Sequence, residues 1–143
     1  MTRINLVPVE ELMDQHLFAE YREIKMIPKS LSRSLAARGI EGVLKMIPKD
    51  YTLNKGHVSF FYNKGLYLHH RYGQLRHEVL MRGYNIDATV PLDPDGVFDM
   101  IPADKFLNEY LPTQEALAII RERIKEKLAL RPGWYRYYGR VKE

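Results

Sequence analysis

Three stretches of this chain repeat apolar residues at the spacing of a helix face, and Pro or Gly punctuates each of them. A sequence built that way is committed to helices before anything else is read. Over residues 9–26, Leu12, His16, Leu17, Glu20 and Ile24 alternate with polar positions, and Pro8 suits a first helical turn, where its missing N–H costs nothing. Pro28 disfavours helical geometry at Ile27, so a break or kink is expected there. A further helical stretch over 30–38 is expected to stop at Gly39. Residues 66–82 set Leu68, Tyr72, Leu75 and Val79 on one stripe, with Gly83 as the stop. Over 114–130, Thr113 offers an N-cap, Leu117, Ile120, Ile124 and Leu128 point inward, and Pro132-Gly133 ends the helix.

Between these stretches the signals are weaker. Residues 40–64 are mixed, and the aromatic run His57-Val-Ser-Phe-Phe-Tyr62 has the composition of a strand with no second strand to pair with, so it reads as packed loop. Pro91, Asp93-Pro-Asp-Gly96 and Pro102 mark turns across 84–111. Lys-Met-Ile-Pro-Lys occurs at 25–29 and at 45–49, too short a repeat to indicate duplication. The expected architecture is all-α: a single domain spanning 1–143, with three main helices round one core and long irregular loops.

Length and composition agree with this. A chain of 143 residues supports one core. No apolar run approaches the roughly 20 residues that span a bilayer, so no membrane partner is expected. There is no cysteine, which excludes disulfide and thiolate chemistry and fits an intracellular, cytoplasmic or DNA-associated setting. A net charge of +4 leans towards a polyanionic partner.

Three constellations carry chemistry. Methionine is normally trimmed before a small residue, which would leave Thr2 with a free α-amine. Such an amine has a pKa of about 7.7–8, so a sizeable fraction is neutral and nucleophilic near neutral pH. His16, Glu20 and Glu23 lie on one helical face, suited to a general-base carboxylate, to half of a metal site, or to a solvated, ion-paired stripe. His57, His69, His70 and His77 show no ligand spacing with them. The tail Trp134-Tyr135-Arg136-Tyr137-Tyr138 alternates aromatic and cationic groups. It suits stacking on bases and pairing with phosphate, or simple packing across the open side of the core. Arg123 and Lys127, one turn apart on the last helix, add to the nucleic-acid reading.

Taken together, these pieces resemble the phage-type pyrimidine-dimer DNA glycosylases with abasic-site lyase activity. The resemblance is carried, in order, by Thr2-Arg-Ile-Asn-Leu6, Asp14-Gln-His-Leu17, Ala19-Glu-Tyr-Arg-Glu23, Gly56-His-Val58, Phe60-Phe-Tyr62, Arg82-Gly83, Asn85-Ile86, Arg131-Pro132, Trp134-Tyr135 and Tyr137-Tyr-Gly139. It implies Thr2 as the nucleophile at C1′ of the damaged nucleotide and Glu23 as the essential carboxylate. It implies that Arg3 and Arg22 grip the backbone near the lesion, that Gln15 and His16 line the site, and that Arg123, Lys127 and residues 134–138 hold the minor-groove side. It implies a partner of lesion-bearing double-stranded DNA, and no metal or other cofactor is expected, because a covalent imine does the electronic work of a Lewis acid; a monomer is expected. Where family members carry Pro-Arg, this chain has Lys25-Met26; Lys25 or Lys29 is the expected substitute, without the bidentate grip of an arginine. The loop 87–112 also departs from the family.

Overall fold

The structure, a computed structural model, describes residues 3–141. It is all-α apart from one short hairpin. Helix α1 spans Asp14–Glu23, α2 Met26–Met46, α3 Gly65–Met81, α4 Ala103–Phe106 and α5 Gln114–Leu130. Strands β1 (Arg136–Tyr137) and β2 (Arg140–Val141) close the described chain. Helices α1 and α3 lie against each other at the centre, where Tyr21 and Tyr72 stack with ring centroids 5.5 Å apart. One apolar cluster runs from Ile4, Leu17, Ile24 and Leu31 through Phe61, Leu68 and Leu75 to Phe106 and Ile120, all almost fully buried.

The first expected helix is not continuous. Residues Val9–Glu11 form a single 3-10 turn, and Leu12 and Met13 are extended, so α1 starts only at Asp14. A buried guanidinium serves the carbonyls at this interruption: Arg82 donates to Leu12 O (2.6 Å) and shares Val9 O (3.2 Å) with the Leu12 N–H. The break expected at Ile27 falls earlier, at Ile24 and Lys25. Pro28 sits within the first turn of α2, where an N–H has no helical partner to lose. Gly39, expected to stop that helix, bends it instead. Its left-handed φ of 70° interrupts the helix and residues 40–46 resume it, which corrects the mixed reading of that stretch.

Elsewhere the expected punctuation does its work. The aromatic run forms a 3-10 turn at Ser59–Phe61 with Phe60 and Phe61 buried. Gly65 opens α3 where a Cβ would come within 2.7 Å of the Phe98 ring and 2.8 Å of Leu107. The end of α3 is a Schellman cap: Gly83 N–H reaches Leu80 O at 3.0 Å, and Tyr84 N–H reaches Val79 O at 3.2 Å. Thr113 caps α5, accepting from Ala116 N–H at 3.0 Å. The tail hairpin turns through Tyr138 and Gly139, both at positive φ (53° and 77°), as a two-residue primed turn requires. No helix among the described residues is long and apolar enough to cross a membrane.

Candidate functional site

The chain enters α1 through a segment, residues 3–7, that has no strand beside it among the described residues. Ile4, Asn5, Leu6 and Val7 are buried, so their peptide groups need partners, and buried side chains supply them. Ile4 N–H donates to His57 Nε2 (2.9 Å), and Tyr51 Oη–H donates to Ile4 O (2.7 Å). Asn5 donates both its backbone N–H (3.1 Å) and its side-chain Nδ2 (2.9 Å) to Glu20 Oε1. Arg71 donates Nη1 to Val7 O at 2.6 Å, and its remaining nitrogens pair with Glu20. Leu6 lies at the centre of a three-residue turn, with Val7 N–H on Asn5 O at 2.6 Å and φ at 61°, a conformation rare for a branched side chain.

This segment delivers Arg3 to a basic cavity of about 790 Å³ that it lines with Lys55, Arg123 and Lys127. Arg123 and Lys127 come from one face of α5, half-buried. Burial and the Arg123 charge pull the Arg3 guanidinium below its ordinary value, while Tyr51 and Glu23 act in the opposite sense. Arg3 Nε is buried without a hydrogen-bond partner among the described residues. Glu23 ends α1, half-buried, with its charge acting on Arg3. His16, two turns back along the same helix, feels Arg3 and Lys127 as well; burial first and then these two charges lower its pKa. Its Nδ1 is likewise buried without a partner among the described residues. Arg3, His16, Glu23, Arg123 and Lys127 therefore share one electrostatic neighbourhood. Thr2 lies outside the described residues.

The C-terminal tail is latched to the same helix. Gln15 donates Nε2 to Trp134 O (2.9 Å) and accepts Arg136 N–H on Oε1 (3.0 Å). Tyr135 is buried with its ring 4.7 Å from His16. Asp14 accepts the Tyr138 N–H (3.0 Å) and Gly139 N–H (2.7 Å). Tyr137 and Tyr138 cover the Arg82 guanidinium at 4.6 and 5.0 Å. The Arg136 guanidinium turns back onto the Gly133 and Trp134 carbonyls. Trp134 is the outward-facing ring, 42% exposed, with Arg131 stacked on it at 3.9 Å. Most of the tail thus packs on the body of the protein, leaving Trp134 and part of Tyr138 to meet a partner.

Arg22 does not join the cavity. It is exposed beside Phe18 and lines a separate cleft with Asp14, Gln15, Tyr84 and Arg136. Lys25 rests 4.8 Å over the Tyr21 ring, and Lys29 is exposed on the first turn of α2. Met26, at the departure from the family pattern, is 51% exposed as the first residue of that helix. The metal alternative for His16, Glu20 and Glu23 fails on geometry. Glu20 faces the core with its oxygens taken by Asn5 and Arg71, and the described residues hold no group of three ligands suited to a metal ion.

Several supporting residues were not singled out in the sequence: Glu20 as an anchor, Arg71, Tyr51, His57 and the Asp14–Arg82–Glu78 network. The available signal was a charge in an apolar row. Glu20 stands three residues after Leu17 and four before Ile24, and Arg71 stands between Leu68 and Leu75.

A family model described as pyrimidine dimer DNA glycosylase matches residues 1–92, which include the entry segment, α1 and the clamp residues Tyr51, His57 and Arg71. With well over half of its length matched, the chain belongs to the pyrimidine dimer DNA glycosylase family.

Proposed function

We propose that this protein removes the 5′ base of a cyclobutane pyrimidine dimer in duplex DNA and then cuts the strand as an abasic-site lyase, with the α-amine of Thr2 as nucleophile. Family membership gives the coarse part, a DNA repair glycosylase with DNA as its substrate. The observation that supports the finer part is the setting of Arg3, which feels Glu23 and Arg123 and acts on His16. Thr2 is the residue before Arg3 in the sequence, and the reading puts its amine to work in that same field.

The chemistry follows from an amine and a carboxylate. Arg3, Arg22, Lys25, Lys29, Arg123 and Lys127 hold phosphates, while Trp134 and its tail neighbours press on the minor-groove side and help to unstack the lesion. The Thr2 nitrogen forms a bond to C1′ as the bond from C1′ to the base nitrogen breaks; the freed base nitrogen takes up the proton that the amine gives up, and the base stays joined to its 3′ neighbour through the cyclobutane ring. The sugar ring opens as its ring oxygen accepts a proton and the nitrogen lone pair completes a protonated imine. That cation acidifies C2′–H. Glu23 stabilises the charge and assists removal of the proton, and the electron pair left at C2′ expels the 3′ oxygen. Water then hydrolyses the imine and restores the amine.

A panel of duplexes tests the reading, with one cyclobutane dimer, abasic, oxidised or alkylated site in each. Glycosidic cleavage of the 5′ nucleotide followed by strand cleavage at dimers, and strand cleavage alone at abasic sites, is the expected result. Cleavage confined to oxidised or alkylated bases would move the protein to a different lesion class. Binding without any cleavage would reduce it to a DNA-binding module.

A further inference from the structure

Family membership does not explain why a buried histidine and tyrosine both bond the backbone of one residue near the start of the chain, one on each of the two peptide units that meet at Ile4. His57 is 3% exposed and Tyr51 5%. Between them they satisfy both polar groups of Ile4, whose side chain is itself fully buried. The hydrogen-bond geometry fixes the imidazole tautomer. The carbonyl of Thr52, 2.7 Å from Nδ1, can only accept, so Nδ1 carries the proton. The Ile4 N–H can only donate, so Nε2 must be bare. The ring is held edge-on by Tyr51 (5.4 Å) and Phe61 (5.6 Å).

We propose that His57, assisted by Tyr51, is a positioning residue for the reaction: it fixes the Ile4 peptide and thereby aims the amine two residues upstream at the sugar. This rests on the amine reading above. The clamp leaves only the backbone torsions of Thr2 and Arg3 between the fixed peptide and the nucleophile. Proximity of that kind is steep in its effect, because about 1 Å of misplacement costs on the order of 100-fold in rate.

The clamp also sets a lower pH limit. An imidazolium has a proton on both nitrogens and cannot accept from Ile4 N–H. Arg3 on the entry segment opposes that second proton and Glu20 on α1 favours it; Tyr51 flanks the ring, and the Thr52 carbonyl accepts from Nδ1. As pH falls and His57 takes its proton, the Ile4 peptide is released and the amine loses its aim.

The test compares His57→Phe, His57→Gln and Tyr51→Phe with the wild type. Borohydride trapping on abasic-site duplex is followed under single-turnover conditions, and affinity is measured separately on a duplex carrying an uncleavable tetrahydrofuran site. His57→Phe is expected to slow trapping roughly 10- to 100-fold with affinity unchanged. His57→Gln, whose amide oxygen still accepts from Ile4 N–H, is expected to recover most of the rate and to lose the part of the acid limb that His57 sets. Tyr51→Phe keeps the ring and loses the bond to Ile4 O, so a loss of a few-fold is expected even if His57→Phe does not fold. Wild-type trapping rates in folded His57→Phe or in Tyr51→Phe, or an unchanged acid limb in His57→Gln, would overturn the positioning role while leaving the amine mechanism standing. Absence of any adduct in the wild type would overturn both.

Discussion

Glu20 and Arg71 meet inside the protein, Nε to Oε2 at 2.7 Å and Nη2 to Oε1 at 3.0 Å, and the pair holds the entry of the chain from both sides. Glu20 takes the Asn5 donors and Arg71 donates to the Val7 carbonyl, so the ion pair also serves as the backbone partner of a segment with no sheet to join. Glu20→Gln leaves a buried guanidinium without its counter-charge and is expected to cost about 3–5 kcal/mol in a urea melt. Replacing both residues with leucine should recover only part of that loss, because Asn5 N–H and Val7 C=O would remain unpaired. Full recovery in the double variant would show that the pair does not support the entry segment.

Glu23→Gln tests the carboxylate separately from the fold. Glu23 is half-buried at the end of α1 and, among the described residues, has no hydrogen-bonding duty in the core comparable to that of Glu20. The variant is expected to bind lesion DNA as the wild type does and to lose glycosidic cleavage by roughly 10²–10⁴-fold. Equal rates of glycosidic cleavage in quenched time courses would remove Glu23 from the mechanism.

Asp14 and Gln15 predict the behaviour of the tail. The chain has a single tryptophan, Trp134, and Gln15 holds its carbonyl at 2.9 Å. Asp14→Asn weakens the Arg82 pair, which closes at 3.1 Å, and disturbs the latch on Tyr138 and Gly139. Acrylamide should then quench Trp134 more efficiently, and DNA affinity should fall. Unchanged quenching would mean that the tail is held by its rings alone.

Acid should destabilise the protein through two histidines. Burial holds His16 and His57 below the ordinary value, His16 with help from Arg3 and Lys127. The unfolded chain therefore takes up protons first, near pH 6.5, while the folded chain resists them. Stability is complete above about 6.5 and falls as pH drops through the window towards the lowered folded values. Urea midpoints at pH 7.5 and 5 should diverge less in His57→Gln than in the wild type. Equal divergence would assign the acid loss to other groups.

The basic cavity predicts a salt effect. Arg123→Gln and Lys127→Gln should each reduce the slope of log affinity against log salt by about one, uniformly across DNA sequences. An unchanged slope would place the phosphates elsewhere.

How much of this is legible in the sequence depends on the range of the interaction. Periodicity locates α3 and α5 to within a residue or so, because Gly83 and Thr113 act on their own neighbours. It fails at residues 9–13, where the helix is interrupted and Arg82, some seventy residues later, serves the carbonyls. Gly39 reads as a stop and proves a bend, since the helix resumes beyond it. Glu23, Arg3 and Lys127 are recognisable as candidates, but their convergence depends on the entry segment and α5 reaching one cavity from distant parts of the chain, which no local spacing encodes. The role of His57 is the least legible: the residue stands in the family-like block Gly56-His-Val58, but its hydrogen bonds to Thr52 and Ile4 are made by the fold and leave no mark in the local sequence.

The most direct measurement is to trap the wild-type protein on abasic-site duplex with borohydride, digest the adduct and map the modified residue by mass spectrometry. The expected adduct is a reduced imine on the α-amine of Thr2, abolished by chemical acetylation of that amine and unaffected by EDTA. An adduct on a lysine would contradict the central claim, and Lys64 is the informative competitor, because burial lowers its amine to about 8.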